Sequence, residues 1–464
     1  MALHLDLTGL FAAPGSAHGL TRAAFHAAFP RAAAARAEHL RDLPAWRKLH
    51  TREDHLKSCR ARALQVLDEQ RELEAFVVLG IGGSALGNAA LIGALAPVYQ
   101  EWRPAPGRPR VFVLDSVDPD WIGSFLEAVP AERCHFNVIS KSGGTIETSA
   151  QFLIFYEAVK RALGSDKEAR KRFTVTTDPR SGHFRKLCDE LGFASLEVPP
   201  GVGGRFSILS PVGLFMAEIA GLDTQGLLEG AARVDQKLAE CAPEADPALA
   251  WALSQVLFME TGYRITVNFP YSHRLRLLAD WFLQLWAESL GKRVARDGRE
   301  VFAGATPVRA VGPTDQHSQM QLYTEGPHDK VFTMVKVERF ERKVEVPPAC
   351  AASPAFEPLH GRTLNELMEA ERLGSEVALR AADRPVCVLE LCQVDAFHVG
   401  QYFLFFEIAT AYAGALLGID PYDQPGVEAG KKAALALMGA PGTDAPAQAI
   451  RQRLRADDKL VLKC

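Results

Sequence analysis

The segment Phe136-Asn137-Val138-Ile139-Ser140-Lys141-Ser142-Gly143-Gly144-Thr145 joins an apolar run typical of a buried strand to a small, hydroxyl-rich loop. Residues 146–163, which follow it, have the composition and length of a helix. A loop between a strand and a helix binds anions because free backbone N–H groups and the positive end of the helix dipole point at one spot. The segment therefore predicts a strand–loop–helix unit with an anion site at its centre.

The side chains of this loop strengthen the prediction of an anion site. Ser140, Ser142 and Thr145 supply hydroxyl donors, Lys141 supplies a positive charge, and the Gly143-Gly144 pair lets the backbone close around a ligand. The GxxxxGK(S/T) signature of nucleoside triphosphate sites is absent from the sequence. We therefore expect a phosphate that is carried by a small molecule such as a sugar.

Short apolar runs alternate with helix-length segments along most of the chain, which indicates βαβ units around buried parallel sheets. The first series of strand-like runs comprises residues 75–79, 111–114, 136–139 and 173–176. The second series comprises residues 264–269, 331–335 and 386–389, with helix-like segments over 275–290 and 364–381. We predict an α/β protein made of two three-layer α/β/α sandwiches with mainly parallel sheets.

The Pro- and Gly-rich stretch 199–204 separates the two series, and we interpret it as a domain junction. An Ala-rich, helical N-terminal segment is expected to be interrupted by Pro30 and Pro44. The predicted divisions are a helical N-terminal segment (1–52), a first α/β domain (53–202), a second α/β domain (203–418) and a helical C-terminal segment (419–464).

The composition is that of an ordinary globular protein, with 48% hydrophobic and 23% charged residues among 464. A net charge of −4 favours neither nucleic acid nor an anionic membrane as a partner, and no apolar run is long enough to span a membrane.

The eight cysteines are scattered without CxxC pairs, which is typical of reduced thiols in the cytoplasm. The histidines show no HxH or HExxH spacing, so no metal is expected. The acid-poor N-terminus, with several arginines, leaves an organellar transit peptide as an alternative.

A second glycine-containing loop follows the strand-like run 75–79. Its sequence, Gly80-Ile81-Gly82-Gly83-Ser84-Ala85-Leu86-Gly87, fits the spacing of a dinucleotide fingerprint, and Asp115 stands where a ribose-binding carboxylate would. A dehydrogenase is therefore one alternative, and a purely structural tight turn is another. Gly83 and Ser84 make the loop more polar and more open than the usual fingerprint, so we prefer contact with a small phosphorylated ligand.

The predicted helix 275–290 carries a carboxylate on its apolar face. At 3.6 residues per turn, Glu288 shares that face with Trp281, and Gln284 lies one turn before it. A carboxylate among apolar side chains is costly unless it is paired or functional, which makes Glu288 a candidate general base. The alternative is a glutamate at the helix end that turns to solvent or pairs with Lys292.

Three basic residues stand in contexts that suit catalysis. Arg205 follows the pair Gly203-Gly204 at a bend, where its fixed charge would suit a developing oxyanion. His317 lies in the polar stretch 314–319 and could shuttle a proton, whereas Lys431 stands at the start of a predicted helix, where it gains nothing from the dipole. The alternatives are an ordinary surface arginine, a loop histidine without a role and a solvated basic pair.

Together these segments resemble the glucose-6-phosphate isomerase (phosphoglucose isomerase) family, and the phosphate loop looks like the family's bacterial variant. The matching stretches are 80–87, 140–148, 203–207, 284–292, 312–317 and 423–431, in the order that the family has them. The resemblance implies two sugar-isomerase (SIS) α/β sandwiches and an enzyme that interconverts glucose 6-phosphate and fructose 6-phosphate in glycolysis and gluconeogenesis. It also implies a cytoplasmic homodimer that uses neither a metal nor another cofactor.

The resemblance further implies a role for each candidate catalytic residue. Glu288 matches the base that moves a proton between carbon 2 and carbon 1, and Arg205 matches the residue that stabilises the enediolate. His317 and Lys431 match the groups that open the sugar ring, with His317 contributed by the neighbouring subunit. Glu147, just after the phosphate loop, is a candidate to orient His317.

Most of the residues implied to contact the substrate lie in the two loops and would hold the 6-phosphate. The residues implied to hold the 6-phosphate are Ser84, Ser140, Lys141, Ser142 and Thr145, and the other implied substrate contacts are Gly83, Gln284 and Gln424. Three alternatives stay open: an isomerase that also acts on another hexose phosphate such as mannose 6-phosphate, a non-catalytic sensor of sugar phosphates, and a dehydrogenase. The presence of Glu288, His317 and Lys431 argues against a sensor, which needs the phosphate loop alone.

Overall fold

A computed structural model describes residues 3–141, 143–350 and 353–454. The chain forms two compact units, one ending at Pro421 and the other beginning at Tyr422. Ser142, one of the predicted phosphate ligands, lies outside the described residues, so its role stays a prediction.

The secondary structure alternates strands and helices through most of the first unit. The described strands are β1 His4–Asp6, β2 Ala75–Leu79, β3 Arg110–Leu114, β4 Cys134–Ile139, β5 Phe173–Thr177, β6 Ala194–Glu197, β7 Ile265–Pro270, β8 Lys292–Val294, β9 Glu300–Ala303, β10 Thr306–Arg309, β11 Lys330–Arg339 and β12 Val386–Gln393. The described α-helices are α1 Arg22–Arg41, α2 Glu53–Glu69, α3 Leu86–Leu95, α4 Pro119–Ala128, α5 Ile146–Leu163, α6 Asp166–Lys171, α7 His183–Leu191, α8 Pro211–Ala220, α9 Thr224–Glu240, α10 Pro247–Glu260, α11 Arg276–Leu290, α12 Met320–Glu325, α13 Leu364–Ala381, α14 Ala396–Leu416, α15 Glu428–Leu437 and α16 Asp444–Leu454.

The first sheet is fully parallel, with the strand order β3-β2-β4-β5-β6. Alternate side chains of a strand point to opposite faces, so Phe76 and Val78 of β2 join one apolar core while Val77 and Leu79 join another. Helices α4, α5 and α7 complete the second core, and α2, α3 and α8 cover the opposite face. A helix layer on each face gives the predicted sandwich.

The second sheet has the order β10-β7-β11-β12-β1, and it is parallel except for β1, which pairs antiparallel with β12. Helices α12 and α13 pack on one face, around Phe269 and Met334. Helices α10, α11 and α14 pack on the other face, around Val335 and Leu389. The order β10-β7-β11-β12 repeats the order β3-β2-β4-β5 of the first sheet.

The inner faces of the two sheets contribute to one continuous apolar core, which includes Phe76 of β2 and Val335 of β11. Because this core joins the two sandwiches, they form a single compact unit that ends at Pro421. The domain limits expected at residues 53, 203 and 419 therefore stay predictions.

The prediction of an α/β fold with two mainly parallel sheets is confirmed. Each strand-like run of the two series forms a strand, and α5 and α13 span the predicted ranges 146–163 and 364–381. Helix α11 begins at Arg276, one residue later than predicted, because a 3-10 turn, His273–Leu275, precedes it.

Two details of the N-terminal segment differ from the prediction. Pro30 does not interrupt α1. Proline has no N–H group to donate to the carbonyl of His26, but both residues are exposed, so water can donate to that carbonyl instead. Residues His4–Asp6, expected to be helical, instead form β1, which covers the open edge of β12.

Helix α14 is the most apolar long helix of the first unit and is buried along nearly its whole length. Among the described helices, none combines the length and the apolar character needed to cross a membrane. The carboxyl group of Glu407 lies in the buried part of α14, where burial raises its pKa well above the ordinary value and favours the neutral acid.

Candidate active site

The two predicted phosphate-binding loops flank one crevice of the first sheet. Gly80 follows β2 and Ser140 follows β4, and these neighbouring parallel strands pair in register, with Leu79 opposite Val138. The chain passes from β2 to β3 on one side and then returns to β4 on the other, so the switch point of the sheet lies between β2 and β4. Ligands of open α/β sheets bind beyond the carboxyl ends of the strands at such a point.

The loop after β4 is shaped by its own hydrogen bonds. The Oγ of Ser140 accepts the Gly143 N–H at 3.1 Å and donates to Oγ1 of Thr145 at 3.4 Å. Gly143 has a φ of 70°, and a Cβ at this position would lie 2.8 Å from the backbone N of His183. The turn therefore requires glycine, as the sequence pattern predicted.

The loop after β4 also contacts the bend that precedes Arg205. The Nζ of Lys141, itself exposed, donates to the carbonyl oxygen of Val202 at 2.9 Å. The side chain of Thr145 does not cap α5, so the amide groups of the first helical turn stay available to an anionic ligand. Glu147 lies in that first turn and is half-buried.

The guanidinium of Arg205 is buried, and its acceptors include three that hold it in place. Its Nε donates to Oγ of Ser289 at 2.8 Å, one terminal nitrogen donates to the carbonyl oxygen of Pro421 at 2.6 Å, and the other lies 3.3 Å from Oε2 of Glu288. The side chain is 2% exposed, so its charge is fixed in position rather than free to move with solvent.

The carboxylate of Glu288 is paired yet remains reachable. Its Oε2 faces Arg205, and its Oε1 accepts a hydrogen bond from Nε2 of Gln284 at 3.1 Å. The side chain of Glu288 is 29% exposed. Lys292, named above as an alternative partner, donates to the main-chain carbonyls of Glu288 and Ser289 at 2.6 and 3.1 Å and so caps the end of α11.

The glycine loop after β2 packs directly against these residues. A Cβ at Gly83 would lie 2.2 Å from the carbonyl carbon of Gly204 and 2.5 Å from the backbone N of Arg205. A Cβ at Gly82, whose φ is 58°, would lie 2.8 Å from Nε2 of Gln284. The glycine loop, the bend at Arg205 and helix α11 therefore form one contiguous group beside the switch point, which also includes Ser84 at the end of the loop.

His317 lies elsewhere in the first unit, in a 3-10 turn, Thr314–His317, after β10 of the second sheet. It is exposed, and no hydrogen bond between described residues joins it to Glu288. Its turn is stabilised by Asp315, which accepts hydrogen bonds from the Val311 N–H and the Ser318 hydroxyl, both at 2.7 Å. Although burial acts to raise it, these bonds hold the pKa of Asp315 below the ordinary value.

Two predicted site residues belong to the second compact unit. Gln424 precedes a 3-10 turn, Pro425–Val427, and Lys431 lies in the first turn of α15. The Nζ of Lys431 donates to Oε1 of Glu428 at 3.1 Å, and both side chains are exposed. The predicted position of Lys431 at a helix start is thus confirmed.

Sequence reasoning missed Ser289. Its hydroxyl accepts the Arg205 N–H from one residue beyond Glu288, and it is fully buried at the end of α11. A serine on the buried side of an otherwise apolar helix was the available signal, because a buried hydroxyl needs a partner. The partner itself, 84 positions away, follows only from the tertiary fold.

Comparison with known proteins assigns the family. The family model described as phosphoglucose isomerase matches residues 59–448. The chain belongs to the phosphoglucose isomerase family. It is 42% identical over 400 residues to glucose-6-phosphate isomerase of Carboxydothermus hydrogenoformans, covering 85% of each chain. It is also 42% identical over 426 residues to glucose-6-phosphate isomerase of Rubrobacter xylanophilus, covering 91% of this chain and 96% of that one.

A solved structure shares the fold over nearly the whole chain. The crystal structure of a hypothetical protein from Thermus thermophilus superimposes with a TM-score of 0.82 at 34% sequence identity. It covers 98% of this chain and 100% of that one, so the likeness extends over both sandwiches and the segments around them.

Proposed function

We propose that this protein interconverts D-glucose 6-phosphate and D-fructose 6-phosphate through a cis-enediolate, as a step of glycolysis and gluconeogenesis. The observation that carries the proposal is the placement of Glu288 between Arg205 and Gln284, both of which pack against the glycine loop at the switch point of the first sheet. A base, a fixed positive charge and a phosphate-binding crevice then meet at one place.

The loops of the first sheet would hold the 6-phosphate of the substrate. The groups assigned to this task are Ser84, Ser140, Lys141, Ser142 and Thr145, and Gly83 is a further substrate contact. Hydroxyl groups, backbone N–H groups and the amino end of α5 bind a phosphate without a metal ion. Anchoring the phosphate fixes the sugar, so that carbons 1 and 2 stay within reach of one carboxylate.

Glu288 would take the proton from carbon 2 of glucose 6-phosphate and return it to carbon 1, and the reverse reaction would use the same group. Negative charge builds on the enediolate oxygens as the proton leaves. Arg205 would stabilise that charge, and since its side chain is already fixed by Ser289 and Pro421, little reorganisation is needed. Gln284 would orient the carboxylate and contact the substrate.

Ring opening precedes proton transfer and needs an acid and a base. We assign it to His317 and Lys431, with Gln424 as a substrate contact and Glu147 as the group that orients the histidine. The exposure of His317 and its position on a turn of the second sheet, without a hydrogen bond to Glu288 among the described residues, support a site completed by a second subunit. We therefore propose a cytoplasmic homodimer in which each subunit contributes His317 to the active site of its partner.

A coupled assay tests the proposed reaction. The purified protein is given glucose 6-phosphate, fructose 6-phosphate or mannose 6-phosphate, each with a chelator and without added cofactor. We expect rapid interconversion of the first two only, and a Glu288→Gln preparation serves as the blank for contaminating host isomerase. Conversion of mannose 6-phosphate at a comparable rate would favour the broader isomerase, and no turnover of any substrate would refute the proposal.

A further inference from the structure

A cavity of about 670 Å³ lies at the carboxyl end of the second sheet. Its walls include His273 and Arg274, which follow β7, together with Arg339 and Arg342 at the end of β11, and Asp395 after β12. The chain passes from β7 to β10 on one side and returns to β11 on the other, so this cavity occupies the switch point of the second sheet. It therefore has the position in its sheet that ligands of open α/β sheets prefer.

The cavity is separate from the proposed isomerisation site. Helix α11 starts beside the cavity, and Glu288 lies twelve residues after Arg276, a span of roughly 18 Å at 1.5 Å per residue. Helix α3 starts at the glycine loop and reaches the cavity with its last residue, Leu95. None of the described residues assigned to isomerisation lines the cavity.

The walls of the cavity are largely apolar. Leu222, Phe340 and Met368 are among the lining residues, and Val98 and Val344 at its walls are 50% and 48% exposed. Apolar side chains that remain open to solvent in a concave site gain free energy when a ligand covers them, about 25 cal/mol per Å² of buried surface. A hexose phosphate, which is polar throughout, would gain little from such walls.

Three arginines and three acidic side chains line the cavity, so the ligand charge that it favours depends on which of these groups are already paired. Each acidic group already has a partner: Glu341 pairs with Arg274 at 3.1 Å, Asp223 accepts the Gly226 N–H at 2.8 Å, and Asp395 accepts the His398 N–H at 2.9 Å.

The positive side of the cavity is less fully paired. The guanidinium of Arg339 donates to the sulfur of Cys392 at 2.9 Å, whereas that of Arg342 has no hydrogen bond or ion pair with any described side chain. A sulfur atom is a weak acceptor for a guanidinium. Two arginines therefore stand at the cavity without a carboxylate of their own.

We propose that this cavity is a second ligand site, which takes a small molecule with an apolar body and one anionic group. The apolar walls cover the body, and Arg339 and Arg342 contact the anion. The ligand class differs from that of the first switch point, where the loops suit a small and wholly polar phosphate.

The probe for this proposal is 8-anilinonaphthalene-1-sulfonate, which has an apolar body and one sulfonate, and its uncharged analogue is N-phenyl-1-naphthylamine. Fluorescence titration of the full chain should show saturable binding of the sulfonate. Arg342→Gln and Val344→Glu, both at exposed positions, should each weaken binding of the sulfonate about fivefold. This factor corresponds to roughly 1 kcal/mol, which is typical of an exposed charge contact. The Arg342→Gln change should leave binding of the uncharged amine unaltered.

Arg71→Gln, at an exposed arginine that follows α2 and does not line the cavity, serves as the matched control and should bind the sulfonate like the parent protein. Unchanged thermal unfolding of each variant excludes dye binding to unfolded chain. The proposal is overturned if the sulfonate does not bind, if both cavity variants bind it normally, or if saturating fructose 6-phosphate displaces it. Displacement would place the dye in the isomerisation site instead.

Discussion

Four strands of each sheet follow the same order, yet the loops at the two switch points differ in chemistry. In the first sheet, glycines let Gly204 and Arg205 approach the loop after β2, and hydroxyl groups line the loop after β4. In the second, His273 and Arg274 follow β7, and arginines at the end of β11 stand around an apolar cavity. The comparison teaches that the fold sets where a ligand binds, whereas the loop residues set which ligand binds and what happens to it.

The largest difference expected between the two switch points concerns their arginines. Arg205→Lys removes the fork that reaches Ser289, Glu288 and Pro421 at once, so the positive charge is no longer fixed near the enediolate. We expect kcat for fructose 6-phosphate to fall about 10²- to 10³-fold. Arg342→Lys at the second switch point is the control, and equal losses in the two variants would break the comparison.

A smaller effect is expected from the close contact at Gly83. Gly83→Ala would place a Cβ 2.2 Å from the Gly204 backbone, which must move and carry Arg205 with it. We expect kcat to fall at least about tenfold and the free energy of unfolding to drop by about 1–3 kcal/mol. Gly123→Ala in α4, where a Cβ would meet no atom within 4 Å, should be neutral or slightly stabilising. Normal kcat in Gly83→Ala would show that the contact is not needed.

The hydroxyl groups of the two switch points can be compared directly. Thr145→Ala removes one donor from the proposed phosphate site, and a hydrogen bond to a charged group contributes about 1.5–3 kcal/mol. We therefore expect KM for fructose 6-phosphate to rise about tenfold or more, with kcat nearly unchanged. Ser272→Ala, at the wall of the second cavity, should leave KM unaltered. A similar rise in both variants would contradict separate sites.

The smallest effect lies at the second switch point, where Asp395 caps α14. Burial acts to raise its pKa, but hydrogen bonds from His398 and Gln393 hold the pKa at about 2, below the ordinary value near 4. The carboxylate thus stabilises the folded chain above pH 4, and this contribution is lost as the pH falls from about 4 to about 2. Asp395→Ala should cost about 1 kcal/mol at pH 7, as for a lost helix cap, and denaturant titration should show the difference shrinking in acid. A constant difference down to pH 2 would contradict it.

Local sequence patterns were sufficient to predict most of the individual strands and helices. The change from an apolar run to a hydroxyl-rich loop and then to a helix located β4 and α5, since each step depends on neighbours in the chain. The same holds for Glu288, whose spacing from Trp281 placed it next to the apolar face of α11, where the structure shows it half-buried. Local patterns failed at β1, because the pairing of His4–Asp6 depends on β12, which lies far along the chain.

The assembly of the site depends on tertiary contacts that no local pattern contains. Arg205 reaches Pro421 across 216 positions, Gly83 meets Gly204, and α3 packs against α11 with Gly93 beside Leu277. The cavity of the second sheet was not foreseen either, since its arginines come from separate loops without a shared motif. The separate parts of the site could be predicted from the sequence, whereas the contacts that bring them together could not.

The most direct test of the central claim separates binding from chemistry at Glu288. Isothermal titration calorimetry of Glu288→Gln with fructose 6-phosphate should give a Kd within about threefold of the parent protein, because the phosphate loops are intact. The kcat of the same preparation should fall about 10³-fold, as expected when a general base is removed. Glu157→Gln, at an exposed position of α5, is the matched control and should keep both values. Near-normal turnover by Glu288→Gln, or loss of binding without a defect in folding, would contradict the account.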